Sequence, residues 1–177
     1  MFNKLRANYQ LSNVLVRIAF VLAFILYSWQ KSLSVATLML QQVTGQVFSG
    51  QYNLWVALLT SALLGTIVML LVPLICNVFL NYSRFHSVPR AEFSLLAHLF
   101  LTIYYAICGA LKLINLFTPL LIVWGEILFP VIVSLGCIIW FYSVTAKLYF
   151  NNQTKPYYFK SLVIAYVILV VIGEVLL

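Results

Sequence analysis

The chain has 177 residues, 64% of them hydrophobic and 7% charged, with a mean hydropathy of +1.07. Those proportions lie far outside the soluble range, because too few polar side chains exist to cover a water-facing surface; most of the chain is expected in lipid. Intrinsic disorder, which needs low hydrophobicity, is excluded by the same numbers.

The net charge of +7 comes from ten Lys and Arg against three Glu (Glu92, Glu126 and Glu174), with no Asp. The basic residues are dispersed beside apolar runs and form no block of like charge, so no nucleic-acid partner is expected. Anionic lipid headgroups are the expected partner, at about 1 kcal/mol per basic residue near the surface. Cys76, Cys108 and Cys137 all fall in apolar runs. Their odd number and lack of paired spacing point to small core hydrophobes, and neither a disulfide framework nor a metal site is expected.

A helix crosses about 30 Å of hydrocarbon with roughly 20 residues. The first span is predicted over about 11–29. A cleavable leader is a poor reading of it, since the small residues Ser34 and Ala36 lie well past the apolar core. Arg17 sits inside this span, about 9 Å from its start at the helical rise, and is expected to snorkel toward the inner surface. Residues 33–48 alternate an apolar face (Ala36, Met39, Leu40, Val43, Val47) with Gln41, Gln42 and Gln46. That pattern predicts an amphipathic helix at the outer interface, a lid over the bundle.

The second span is predicted over about 54–80 and contains Pro73. A basic loop with Arg84, His86, Pro89 and Arg90 leads into a third span at about 93–111. Pro119, Gly125, Glu126 and Pro130 punctuate the following stretch. Residues 114–127 are therefore predicted as an interfacial or re-entrant segment, with the fourth span at about 128–147. A polar turn (NNQTKP) precedes the fifth span, about 161–177. Absence of repeats and linkers predicts one domain over 1–177.

Direction follows from charge. Lys4, Arg6, Arg84, Arg90, Lys147, Lys155 and Lys160 fall on one side of the spans, and Lys31 and Lys112 on the other. Positive charge favours the cytoplasmic side over short loops. The expected fold is an all-α polytopic transmembrane helix bundle of five spans, N-terminus cytoplasmic and C-terminus outside. Trp29, Trp55 and Trp124 then fall at the outer interface, and Trp140, Tyr142 and Tyr149 toward the inner one.

Polar groups in lipid are functional candidates by default. Arg17, Asn77, His98 and Thr102 fall in the cytoplasmic half and form one candidate inner-leaflet cluster. Two readings are open: a headgroup, ion or proton site, or hydrogen bonding between neighbouring helices. Glu126 is a candidate for an outer crevice or a position among headgroups. Arg84, His86 and Arg90 are candidate headgroup contacts, and an ordinary positive-inside loop accounts for the same residues. Ser61 with Gly65, and Ala106 with Ala110, are small-residue pairs suited to close helix packing. With no Asp, no HExxH, no P-loop and two histidines at different depths, no catalytic constellation, metal or cofactor is predicted.

The basic, proline-containing RFHSVPR, the aromatic IIWFYSVTAKLYF and the lysine-bearing turn NNQTKPYYFK, each ahead of or within a span, resemble the Yip family of small five-span membrane proteins. The resemblance covers at most the last hundred residues or so. It implies a compact prokaryotic Yip-like protein in the plasma membrane. The long cytosolic N-terminal region of eukaryotic members, and their aspartate-, leucine- and tyrosine-containing motif near the first span, are missing. Rab-GTPase and vesicle-trafficking roles are therefore not transferred, nor is any functional residue. The expected function is a non-enzymatic scaffold, regulator or assembly partner of a membrane complex, acting with a protein partner or as a homo-oligomer. The alternative is a small transporter or channel subunit, prompted by the broken 114–127 stretch and Glu126.

Overall fold

Between Tyr9 and Thr44 there is no glycine or proline, so nothing in the backbone chemistry stops a helix once it has started. In the computed structural model that whole stretch is one helix, α1 (Tyr9–Thr44). It is followed by α2 (Gly50–Tyr82), α3 (Arg90–Phe117), α4 (Val123–Tyr149) and α5 (Lys155–Leu176). The structure describes the backbone of residues 9–44, 50–117 and 123–176, and the side chains of 13–29, 32–33, 37–38, 41–42, 53–114 and 129–167. Among the described residues the fold is all-helical.

Two boundaries differ from expectation. The helix of the first span does not end near Trp29; of the segment predicted over 33–48, residues 33–44 continue α1 instead of forming a separate helix, and 45–48 lie outside the described residues. Polarity there marks where the helix is too hydrophilic for lipid, which is not where its hydrogen bonding stops. A helix of 36 residues is about 54 Å long, well beyond the hydrocarbon thickness. Likewise, residues 114–117 complete α3 and 123–127 open α4, so the predicted interfacial or re-entrant segment is divided between two long helices. Residues 118–122, which include Pro119, lie outside the described residues.

Three helices are long and apolar enough to cross a membrane, Asn53–Tyr82, Arg90–Ile114 and Phe129–Tyr149, and Asn13–Trp29 is a shorter apolar stretch. Lipid also explains the outer face of α2. Leu59, Leu63, Leu70, Leu74 and Val78 are all exposed, Leu63 by 65% and Val78 by 68%. In water such a stripe would forgo about 1.5–3 kcal/mol per side chain.

The inner face of α2 carries Asn53, Ala57, Ser61 and Gly65, four residues apart and all buried. This ridge meets α1. Asn53 Nδ2 donates to Thr37 Oγ1 (3.4 Å), and Ser61 Oγ donates to Ser32 Oγ (2.8 Å). A Cβ on Gly65 would lie 3.0 Å from the Phe24 ring. The Ser61/Gly65 pair thus sits in a helix interface. Ala110 is exposed instead, and on α3 the close approach to α1 belongs to Gly109, whose added Cβ would meet backbone atoms of Leu26 and Tyr27 at 3.0 Å. Small residues let the backbones approach where lipid offers no hydrophobic drive. Lys112 closes the same seam. Its Nζ donates to the Tyr27 carbonyl (3.1 Å) and lies 3.9 Å from the centre of the Tyr27 ring.

α3 packs on α1, α2 and α4, and α5 leans on α4. The core sits where the second half of α2 meets α3, α4 and the start of α5. Val72, Cys76 and Leu80 pack with Phe93, Phe100, Phe141, Tyr158 and Leu162. Tyr158 anchors α5. It is fully buried, stacks on Phe150 at 4.1 Å, and shares a 2.6 Å hydrogen bond with Thr145.

Two turns meet at this end. α2 ends in paired bonds, Phe85 N to Leu80 O and Arg84 N to Asn81 O, with Arg84 at φ 57. That is a Schellman terminus with Arg84 in the left-handed position usually held by glycine. Val88 is buried, and the Pro89 carbonyl accepts the N–H of Phe93 to start α3. In the other turn Asn151 Oδ1 accepts from the Thr154 N–H (3.0 Å) and hydroxyl (2.8 Å), and the Thr154 carbonyl accepts from Tyr158 N–H. Phe85 against Phe150, 4.8 Å between ring centres, brings the two basic turns together.

Candidate functional site: a basic crevice

Each of three helices offers residues one turn apart, and so on one face, to a shared crevice of about 300 Å³. α1 contributes Asn13 and Arg17, α2 contributes Pro73 and Asn77, and the first turn and a half of α3 contributes Arg90, Ala91, Ser94 and Leu95. Arg90 is exposed at the rim, while Arg17 and Asn77 are part-buried. Pro73 lines the wall at the point where α2 lacks a backbone N–H.

The electrostatics are one-sided. Among the described residues, two guanidinium groups and no carboxylate line the crevice. The Nε of Arg17 is buried and has no hydrogen-bond partner among the described residues. A buried donor left unmatched costs about 1–3 kcal/mol, more on a charged group. Arg90 is oriented by its Nη2 donating to Asn81 Oδ1 (2.9 Å). Glu92, two residues on from Arg90 in the first turn of α3, accepts from the Tyr149 hydroxyl at 3.1 Å.

Of the expected inner-leaflet cluster, Arg17 and Asn77 come together, and Arg90 joins them from the loop set. His98 and Thr102 do not line the crevice. His98 is 1% exposed, between α2 and α3. Its Nε2 lies 3.0 Å from the Met69 carbonyl oxygen and its Nδ1 lies 2.8 Å from that of Ser94. Both partners are acceptors, so a neutral ring serves one carbonyl at a time and an imidazolium serves both. Thr102 donates to the His98 carbonyl within its own helix (2.7 Å). Arg84 and His86 are exposed in the turn beyond the crevice. The side chain of Glu126 lies outside the described residues. No three His, Cys, Asp or Glu side chains among the described residues approach closely enough to hold a metal.

Sequence reasoning missed Arg90 as a partner of Arg17, and it missed Asn13 and Ser94. The signal for Ser94 and Arg90 was their i, i+4 spacing on a helix that starts at the residue after Pro89. The link between His98 and Met69 was also missed, although Pro73 marks Met69 as the residue whose carbonyl loses its helical donor. Comparison with protein-family models, with curated proteins and with solved structures finds no match to this chain.

Proposed function

We propose that this chain is a non-enzymatic integral membrane protein that acts as scaffold, regulator or assembly partner of a membrane complex. The observation that carries the reading is how its polar side chains are used. Ser32 with Ser61, Asn53 with Thr37, His98 with Met69, Thr145 with Tyr158 and Ser134 with Tyr166 each join two helices. These bonds hold a bundle together and leave wide apolar faces outward, as on α2. Such a face suits lipid and a second membrane helix equally.

The topology in this proposal is five spans, N-terminus cytoplasmic and C-terminus outside, in a prokaryotic plasma membrane. The gathering of the Arg84–Arg90 turn and the Lys147–Lys160 region at one end supports it. Kinship with the Yip family belongs to the same proposal and rests on RFHSVPR, IIWFYSVTAKLYF and NNQTKPYYFK. Reporter fusions after Tyr52, Ser87, Pro156 and Leu177 are expected to report outside, inside, inside and outside. An inside-active fusion at Leu177 removes the fifth span.

The crevice favours a second reading, a small transporter or channel subunit, since a polar cavity among spans is where solutes bind. Purification in mild detergent with photocrosslinkers at Leu63 and Leu70 separates the two. A partner protein in fixed stoichiometry, crosslinked through α2, supports the scaffold. A homo-oligomer that moves solute or ions across liposomes overturns it.

A further inference from the structure

The crevice between α1, α2 and α3 is built for an anion. We propose that it binds a phosphate group, held between the guanidinium groups of Arg17 and Arg90 with Asn77 as a neutral hydrogen-bond partner. Four independent features converge there. Two arginines from different helices line a cavity that has no carboxylate among its described lining residues. Arg17 lines the crevice while its Nε is sealed off and has no acceptor among the described residues, so its Nη groups are the donors a phosphate oxygen would meet there. The beginning of α3 forms one wall, placing the positive end of its dipole there. Arg90 is already held in place by Asn81, one turn beyond Asn77 on α2.

Size narrows the ligand. About 300 Å³ is at the low end of pockets that enclose small molecules, which suits a phosphate ester with a short polar substituent better than a nucleotide. The chemistry is the same for a phospholipid headgroup entering from the membrane and for a soluble phosphate ester entering at the Arg90 rim. Binding is a property of the purified chain alone, so it stands or falls separately from any scaffold role.

The test uses full-length protein in neutral detergent. One arm titrates short-chain phosphatidylglycerol, the other glycerol phosphate and inorganic phosphate, with a short-chain diacylglycerol as the phosphate-free control. Binding is read by native mass spectrometry and by thermal shift. Arg17→Gln and Arg90→Gln are each expected to weaken phosphate-bearing ligands about tenfold or more. Arg17→Lys, which keeps the charge but not the fork, is expected to fall between. Lys160→Gln, which removes one positive charge on α5 away from the crevice, is expected to bind like wild type. Response to the lipid alone assigns a headgroup, and response to the soluble esters assigns a soluble ligand. If Arg17→Gln does not fold, Arg17→Lys and Arg90→Gln carry the test. Wild-type protein that binds the diacylglycerol as well as the phosphatidylglycerol and ignores both soluble phosphates overturns the proposal. So do arginine variants that bind every ligand like wild type.

Discussion

The imidazole Nε2 of His98 lies 3.0 Å from the carbonyl oxygen of Met69, the residue four positions before Pro73. In an uninterrupted helix that carbonyl would accept the N–H of residue 73, which proline lacks. With its proton on Nε2, a side chain from α3 supplies the hydrogen bond that α2 cannot make for itself. The same contact fixes the register of the two helices beside the crevice, because Pro73 and Ser94 line it while Met69 and His98 lock behind it.

This relationship makes Pro73 and His98 energetically coupled. His98→Phe keeps an aromatic ring but leaves the Met69 carbonyl bare, and is expected to cost about 1–3 kcal/mol in bicelle or detergent unfolding. Pro73→Ala returns an N–H to the helix. In that background the cost of His98→Phe is expected to fall by about 1 kcal/mol, the scale of an interhelical hydrogen bond in a membrane. Additive effects in the double-mutant cycle would show that the two residues do not share the carbonyl.

Glycines on α3 and α4 provide a contrast in packing. A methyl group on Gly109 meets the backbone of α1 at 3.0 Å, whereas one on Gly136 meets nothing among the described residues within 4 Å. Gly109→Ala is expected to destabilise by about 1–3 kcal/mol, the usual cost of overpacking. Gly136→Ala is expected to be neutral or to stabilise by up to about 1 kcal/mol through helix propensity. Equal effects at both positions would contradict the observed approach of α1 and α3.

Arg84 holds a left-handed conformation, φ 57, at the end of α2. Arg84→Gly removes the steric penalty and is expected to raise stability by roughly 1 kcal/mol. A loss of stability measured by thermal unfolding would mean that the arginine side chain contributes more than the strain it carries.

Thr145 and Tyr158 share a buried hydrogen bond of 2.6 Å between α4 and α5. Thr145→Val leaves the buried Tyr158 hydroxyl without this partner and is expected to cost about 1–3 kcal/mol, whereas Tyr158→Phe leaves Thr145 Oγ1 still donating to the Phe141 carbonyl (2.7 Å) and is expected to cost about 1 kcal/mol. The double variant, with neither hydroxyl left, is expected to cost less than the sum. Near-additivity in the unfolding free energies would rule the shared bond out.

Much of the helical plan was legible in the chain. Apolar runs mark spans because hydropathy is a local property, and the turn at RFHSVPR is announced by its polarity and proline. The continuity of α1 was legible too, through the absence of breakers between Tyr9 and Thr44, but hydropathy divided it because lipid solubility and helicity are different quantities. What only the tertiary structure decided is which polar side chains meet. Arg17, Asn77 and Arg90 come from three helices, and their meeting depends on each helix's rotation about its axis, on relative height, and on Gly109 and Gly65 admitting α1 closely. A rotation of one residue, 100° on a helix, would turn His98 away from Met69 and Arg17 out of the crevice. That angle is set by the packed ridges of Ala57, Ser61 and Gly65 against α1, and such packing exists only once the helices are assembled.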